Sequence, residues 1–562
     1  MKTKQIFFLA ALLLAAGWVS AQERVVERTW LSTDRDVYVA GDLLWYSAFC
    51  MDAAKGVFSP VSSVAYVELH GEAGMVASGK VALVDGRGAG SLSIPGTLPT
   101  GNYRLVAYTT QNKAEAGYDY TGIGSKTVSV FNVFSNDRVK EGVEVVTPEE
   151  YAELGALVNY RDGAALALAW SDGSLTIVNR TDETASLSVS IFHDDGFVPN
   201  DNPTPADFMA GCRAVGPRTL DGTVISDYEG EIIYGHVAGL SDDQLKAMAG
   251  KYVFLSTPSD KSDVYASVID PEGRVRFFTG NIYGDKECFC EIEDLDPDVR
   301  AFIDLESPFV AARVAPTAPL KMASSLQEPL RQRSLAMQIE RKFTADTLFD
   351  LLPIRENGLF GGEEIVYILD DYTRFPTMEE VLIEFVSQMK ARRWPDRTRD
   401  IKVLLEGAMV PYFSQSRTLM MLDGVPVFDQ QKILDYDPLL VETIHIYPRV
   451  TFIGDRSFDG VVNFVTYKHN LPTFKFGSNV RVIDYQGVSW PMAFTGASLR
   501  TQDDYPDYRQ TIYWNPVVEL QAGETVSVPC KLPDYKGRFR VVVEGLSAAG
   551  TPFRAVTSFT TK

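Results

Sequence analysis

Residues 33–46 read Thr-Asp-Arg-Asp-Val-Tyr-Val-Ala-Gly-Asp-Leu-Leu-Trp-Tyr. Val37-Tyr38-Val39 and Leu43-Leu44-Trp45-Tyr46 are runs of β-branched and aromatic residues, and Gly41-Asp42 punctuates them as a turn. The pattern continues outward. Ala65-Tyr66-Val67-Glu68-Leu69 and Tyr103-Arg104-Leu105-Val106-Ala107-Tyr108 are further short strands, with Asp85-Gly86 and Thr100-Gly101-Asn102 as turns. Even spacing of strands and turn signals predicts a β-sandwich.

The N-terminal residues set the expected compartment. Lys2 and Lys4 precede the apolar run 6–16, and Val19-Ser20-Ala21 places small residues before Gln22. That layout is a secretory signal peptide cleaved after residue 21, too short to span a bilayer. No later stretch is long enough either, so the exported chain is expected to be peripheral to the membrane.

The formal net charge is −21. A field of that sign repels phosphate backbones and anionic headgroups, so no nucleic-acid partner is expected. Cys50, Cys212, Cys288, Cys290 and Cys530 are an odd, sparse set. They read as small buried residues or a structural disulfide, and Cys288-Phe289-Cys290 lacks the neighbouring ligands of a metal site.

Thr33 to Asp42, with Leu98-Pro99-Thr100-Gly101-Asn102-Tyr103-Arg104-Leu105, resembles the opening and closing segments of a macroglobulin-type (MG2) β-sandwich. That resemblance implies a spacer or docking module. The Cys-Gly-Glu-Gln motif of the thioester members is absent, so covalent protease trapping is not implied.

Strand runs continue through Leu175-Thr176-Ile177-Val178, residues 185–191, Tyr252-Val253-Phe254-Leu255 and Val275-Arg276-Phe277-Phe278. Residues 326–343 are rich in helix formers, with Leu335 and Ile339 on one face. The character then changes. Ile365-Val366-Tyr367-Ile368-Leu369 reads as a strand. Thr377-Met378-Glu379-Glu380 reads as a capping box opening a helix with Leu382, Phe385, Val386 and Met389 on its apolar face. Leu419-Met420-Met421-Leu422, Asp423-Gly424 and Val425-Pro426-Val427-Phe428 read as strand, turn, strand. Asp429 caps a short helix, 441–447 is a strand, and Phe458-Asp459-Gly460 turns into a long strand at 461–468.

Leu422-Asp423-Gly424-Val425-Pro426, Val441-Glu442-Thr443-Ile444-His445-Ile446, and Gly454 followed by Asp459-Gly460-Val461-Val462-Asn463-Phe464-Val465-Thr466 resemble the plug domain of TonB-dependent outer-membrane receptors. Asp423, Gly424, Pro426, Gly454, Asp459, Gly460 and Asn463 are the candidate motif residues, structural or partner-facing. Pro448-Arg449 and Asp459-Gly460 depart from the Arg/Lys-Gly and Gly-Gly steps of that family. Residues 469–562 are too few for a receptor barrel of about 22 strands, which takes at least ~200 residues.

The fold class expected is mainly β and multidomain: several Ig- or macroglobulin-like sandwiches plus one plug-like α+β domain. The expected divisions are 1–21 signal peptide, 22–138 MG2-like sandwich, 139–235 and 236–320 second and third sandwiches, 321–350 helical linker, 351–475 plug-like domain and 476–562 C-terminal sandwich. The whole layout resembles a group of Bacteroidota envelope proteins.

Chemistry-bearing motifs are missing. There is no His-Glu-x-x-His, Gly-x-Ser-x-Gly or P-loop. Gly86-Arg87-Gly88-Ala89-Gly90 reads as a β-turn. His70, His193, His236, His445 and His469 are scattered singly, and Asp194-Asp195 and Asp370-Asp371 read as loop residues. Trp45, Trp170, Trp394 and Trp514 read as buried aromatics rather than glycan platforms. No catalytic residue, cofactor or metal is expected. The expected role is an accessory protein, periplasmic or outer-membrane-associated, docking on an outer-membrane β-barrel complex. An exported adhesin is the alternative, and a glycan-active enzyme with carboxylates distant in sequence is the third.

Overall fold

The computed structural model describes residues 25–134, 142–157, 163–216, 218, 225–258, 263–296, 298–310, 314–343, 349–354, 364–395, 399–406, 410–477, 479–494 and 506–561. The expected signal peptide lies outside them. The protein is mainly β. It divides into two compact units: residues 1–228, 311–351 and 492–562, and residues 229–310 and 352–491.

In the first unit, one sheet joins Glu27–Thr33, Leu43–Asp52, Val57–Phe58 and Arg87–Ser93. A second sheet orders Val37–Val39, Lys126–Phe131, Gly101–Tyr108, Val64–Gly71 and Gly74–Ala82. Leu44, Tyr46, Ala65, Val67, Leu105, Val128 and Val130 fill the core of this sandwich. Asp85 and Gly86, at φ 49° and 74°, form a two-residue hairpin turn closed by the Val84–Arg87 bridge. The glycines after it belong to a strand and not to the predicted turn. A Cβ on Gly90 would lie 2.6 Å from the Tyr46 hydroxyl, so the strand is glycine-rich because an aromatic ring packs onto its backbone.

The second sandwich corrects the expected division. Ala185–His193 lies between Thr511–Leu520 and Arg538–Ser547, and Pro552–Thr560 extends that sheet. Leu166–Ser171 and Ser174–Asn179 pair onward to Thr525–Pro529. Leu175, Leu187, Val189, Ile512, Val541 and Phe553 share one core. Residues 139–235 and 476–562 therefore hold the two parts of one sandwich. The physical reason is that Ala185–His193 is buried along nearly its whole length and needs a hydrogen-bonded neighbour on each edge.

The helix Gln327–Phe343 forms where expected, but it packs on this unit rather than serving as a bare linker. Leu326, Leu330 and Met337 sit against Val37, Val39 and Phe131, while Leu335 is 54% exposed. Arg333 donates to both oxygens of Asp195 at 2.5 and 2.6 Å and to the Val37 carbonyl at 2.6 Å. Asp34 joins the two sandwiches. Its carboxylate accepts from the Tyr38 hydroxyl at 2.7 Å, the Trp45 amide at 3.1 Å and the Thr511 hydroxyl at 2.6 Å. Ser190 donates to its carbonyl at 2.5 Å.

The second unit holds a third sandwich. One sheet orders Arg274–Phe278, Ile232–Ala238 and Phe302–Leu305; the other orders Val264–Val268, Tyr252–Ser256, Asp285–Ile292 and Val480–Gln486. Because Val480–Gln486 completes this sheet, the mixed α/β body of residues 364–477 is an insertion in the third sandwich. Its main sheet orders Ile365–Ile368, Val441–Ile453, Arg456–Thr466, Leu419–Leu422 and Val425–Pro426. A smaller antiparallel sheet orders Met389–Arg393, Arg399–Leu405 and Tyr412–Phe413. Met378, Leu382, Val386, Ile401, Val403, Ile444, Ile446, Val462 and Phe464 form its core.

Two local readings change. Thr377 accepts from the Glu380 amide as expected, but the helix ends at Glu384 and Met389 already begins a strand. Phe458, Asp459 and Gly460 lie within Arg456–Thr466, and the hairpin turns instead at Gly454-Asp455, with Gly454 at φ 59°. The register slips between Tyr447 and Val450, opposite Gly460 at φ 84°. Pro448 lacks an amide donor and is tolerated at that bulge.

Two outcomes test this packing. Asp34→Ala leaves the Trp45 amide and the Thr511 hydroxyl without their acceptor, the Tyr38 hydroxyl keeping the Arg35 carbonyl, and should destabilise the first unit by about 2–4 kcal/mol, read from thermal and denaturant melts. Burial pushes Glu340 from the ordinary 4.5 to about 7, although Arg35 opposes that shift. The folded chain therefore keeps a proton that the unfolded chain loses, and stability falls as pH rises from 4.5 to about 7. Glu340→Gln should match the parent at pH ~5 and exceed it by about 2 kcal/mol at pH ~8.

Candidate functional site

The predicted motif residues hold the α/β body together from the inside. Asp423 and Gly424 occupy a two-residue turn at φ 46° and 83°. The Asp423 carboxylate, 1% exposed, accepts from the Thr466 amide at 2.6 Å, the Thr466 hydroxyl at 2.7 Å and the Leu471 amide at 2.8 Å. Asn463 accepts from the Gly424 amide at 2.9 Å, and Pro426 is buried opposite Met421 on the sheet edge. Asp459 accepts from the amides of Gln415 and Ser416 at 2.9 and 2.7 Å. Gly454 and Gly460 supply the hairpin and the bulge. The seven residues lie at turns, a bulge and backbone hydrogen-bonding positions and do not line one common cavity.

Two surface features of the same body remain. The first is the outer edge of the main sheet. Phe254 and Val264 of the third sandwich pack with Leu419, Met421, Phe428, Phe458 and Val461 of the α/β body, so the third sandwich covers one end of the sheet face. Ile365–Ile368 is the opposite edge strand and pairs only with Val441–Ile453 among the described residues. Ile365 and Tyr367 turn to the core, while Val366 and Ile368 are 43% and 47% exposed. Beside them Glu364 accepts from the Tyr447 hydroxyl at 2.7 Å and contacts His445 Nδ1 at 3.3 Å. Burial, then the bond to Glu364, pushes the Tyr447 phenol well up.

The second feature is the small sheet, which sequence reading missed. Lys390, Arg392, Arg393 and Trp394 are exposed along one strand and its exit. They adjoin a groove of about 700 Å³ lined by Trp394, Arg399, Lys402, Gln415, Arg417 and Phe428. Asp459 shapes this groove by fixing the amides of Gln415 and Ser416. Arg417 is neutralised there by Glu293 and Asp294, both at 2.9 Å. The signal was present as a local reversal of charge, hidden by summing charge over the whole chain.

Elsewhere the polar groups are occupied by structure. A cleft of about 710 Å³ in the first unit is lined by Asn102, Asn200 and Asn202. These amides are bonded to the Ala318 carbonyl, the Ser129 hydroxyl and the Thr127 backbone. Asp194 pairs with Arg540 at 2.8 Å, and Asp370 accepts from Tyr467 at 2.6 Å. All five cysteines are buried free thiols, and burial raises Cys50, Cys212, Cys290 and Cys530 well above the ordinary range. No group of three or more His, Cys, Asp or Glu among the described residues is placed to hold a metal ion. Trp45 and Trp514 are buried, Trp170 stacks on Phe559 at 3.7 Å, and Trp394 is 39% exposed against expectation. Among the described residues, no helix is long and apolar enough to cross a membrane.

No protein-family model and no curated protein matches the chain. Among solved structures it is similar to Escherichia coli alpha-2-macroglobulin activated by porcine elastase, at 10% identity and a TM-score of 0.24, over 95% of this chain and 43% of that one. Salmonella alpha-2-macroglobulin reacted with methylamine gives 9%, 0.23, 96% and 40%. A tetra-tandem repeat from the extending region of a large adhesion protein gives 8%, 0.12, 96% and 100%. The chain thus spans less than half the length of these macroglobulins. The functional reading rests on its own side chains.

The hub role of Asp423 is testable. Asp423→Ala leaves two buried amides and a hydroxyl without an acceptor and should cost the α/β body about 2–4 kcal/mol. Hydrogen exchange at Thr466 and Leu471 should rise, with the first sandwich unaffected.

Proposed function

We propose that this chain is a non-catalytic interaction protein of the cell envelope that docks on an outer-membrane β-barrel complex, in transport or assembly. The carrying observation is the edge strand Ile365–Ile368, open on one side among the described residues, with Val366 and Ile368 outward. An unpaired edge with exposed apolar side chains is a template for strand addition by a partner. The plug-like order of 419–466 supports the choice of partner. The described strands after that segment go to the sandwiches, or pair with Phe349–Leu351, and form no barrel of their own. The leader-like pattern of residues 1–21, Lys2 and Lys4 before an apolar run, motivates the choice of compartment.

The test is co-purification of a C-terminally tagged chain from detergent-solubilised membranes of its native cell. One outer-membrane barrel should dominate the bound fraction. Val366→Lys with Ile368→Lys should reduce its recovery at least tenfold without lowering the melting temperature, because both side chains already face solvent. Recovery of no outer-membrane protein by the parent chain contradicts the reading.

A further inference from the structure

The hairpin formed by Met389–Arg393 and Arg399–Leu405 reverses the charge of the chain around it. Its described residues include Lys390, Arg392, Arg393, Arg399 and Lys402, against the single carboxylate of Asp400, in a chain of net charge −21. The ladder sets Lys390 opposite Lys402, Arg392 opposite Asp400 and Arg393 opposite Arg399. Two of the three charged rungs are therefore cation against cation, an arrangement that destabilises an isolated hairpin.

Neutralisation inside the protein is incomplete. Arg399 reaches Glu379 at 2.7 Å and Asp435 at 3.2 Å, and Lys402 reaches Asp400 at 3.2 Å. Lys390, Arg392 and Arg393 have no carboxylate partner among the described residues. Lys390 and Arg392 lie over aromatic faces instead: Lys390 at 5.5 Å from the Phe413 ring and Arg392 at 4.1 Å from Trp394. Lys390 and Arg392 alternate onto one face of their strand, and Trp394 follows at the next such position. The ladder sets Leu404 opposite Phe413 and Leu405 opposite Tyr412, so Phe413 shares the face of Lys390 and Tyr412 lies on the other.

We propose that this face binds the anionic, phosphate-bearing surface of a membrane. Its unneutralised cations are complementary to headgroup phosphates, while Trp394, on the same face, supplies an amphipathic ring that settles at the headgroup boundary. Asp400 lies on this face opposite Arg392 and is paired with Lys402 at 3.2 Å, while the repulsion of anionic headgroups by the chain's remaining negative charge is screened beyond about 8 Å at physiological salt. The face is open and sheet-like, as a contact with an extended surface requires.

The experiment is flotation of the purified, leader-free chain with vesicles of phosphatidylcholine alone and of phosphatidylcholine with phosphatidylglycerol, at low and high salt. The parent should float with the anionic vesicles only, and release as salt rises. Lys390→Glu with Arg392→Glu should weaken binding at least ~20-fold, since each cation near an anionic surface contributes about fivefold. Trp394→Ala should weaken binding at unchanged salt dependence. The single Lys390→Glu replaces a like-charged rung with an opposite-charged one, so its melting temperature should hold or rise. That result separates lost binding from lost fold. Equal flotation with neutral vesicles, retention of binding by the double variant, or capture of poly-glutamate or DNA without vesicle binding overturns the proposal. Vesicles hold no barrel, so this result stands apart from the co-purification.

Discussion

The strand Ala185–His193 imposes the topology on the rest of its unit. It is buried along nearly its whole length, and both of its hydrogen-bonding edges are filled by strands from 511–520 and 538–547. A strand in that position cannot be satisfied by its own hairpin. The chain must leave after residue 193, build further structure, and return some three hundred residues later. The third sandwich repeats the arrangement on a smaller scale, since Asp285–Ile292 is completed by Val480–Gln486. Closing such loops costs more entropy with length only slowly, but it delays folding, because non-local pairing must form before it is rewarded.

Buried carboxylates do the joining in both units. Asp34 gathers Tyr38, Trp45 and Thr511, and Asp423 gathers Thr466 and Leu471. Each accepts several hydrogen bonds at once. A carboxylate in that setting contributes mainly through what its loss would leave unsatisfied. The segments 33–42 and 422–426 are each built around such a hub. Asp34 is the second residue of the first segment and Asp423 of the second, and both accept from backbone amides and hydroxyl groups.

Much of the local structure was legible in the sequence. Asp85-Gly86 and Asp423-Gly424 turn because both positions need positive φ, a requirement that shows directly as residue type. Thr377 and Asp429 cap helices for an equally local reason. The nested sandwiches were not legible, because strand propensity says nothing about which distant strand fills an edge. Phe458-Asp459-Gly460 was misread because a bulge and a turn demand the same glycine. At the candidate site, the motif residues were legible as turn and hydrogen-bonding residue types, and the structure places them at turns, a bulge and backbone contacts. The exposed faces around Val366 and Lys390 were missed: one depends on which neighbours cover an edge, the other on cross-strand register.

The claim that the open edge receives a partner is tested most directly by a photo-crosslinking residue placed at Val366 in the native cell, with Leu335 as an exposed control in the other unit. The account predicts one adduct with an outer-membrane barrel protein from position 366 and none from position 335. The absence of any adduct from position 366, or the same adducts from both positions, would contradict it.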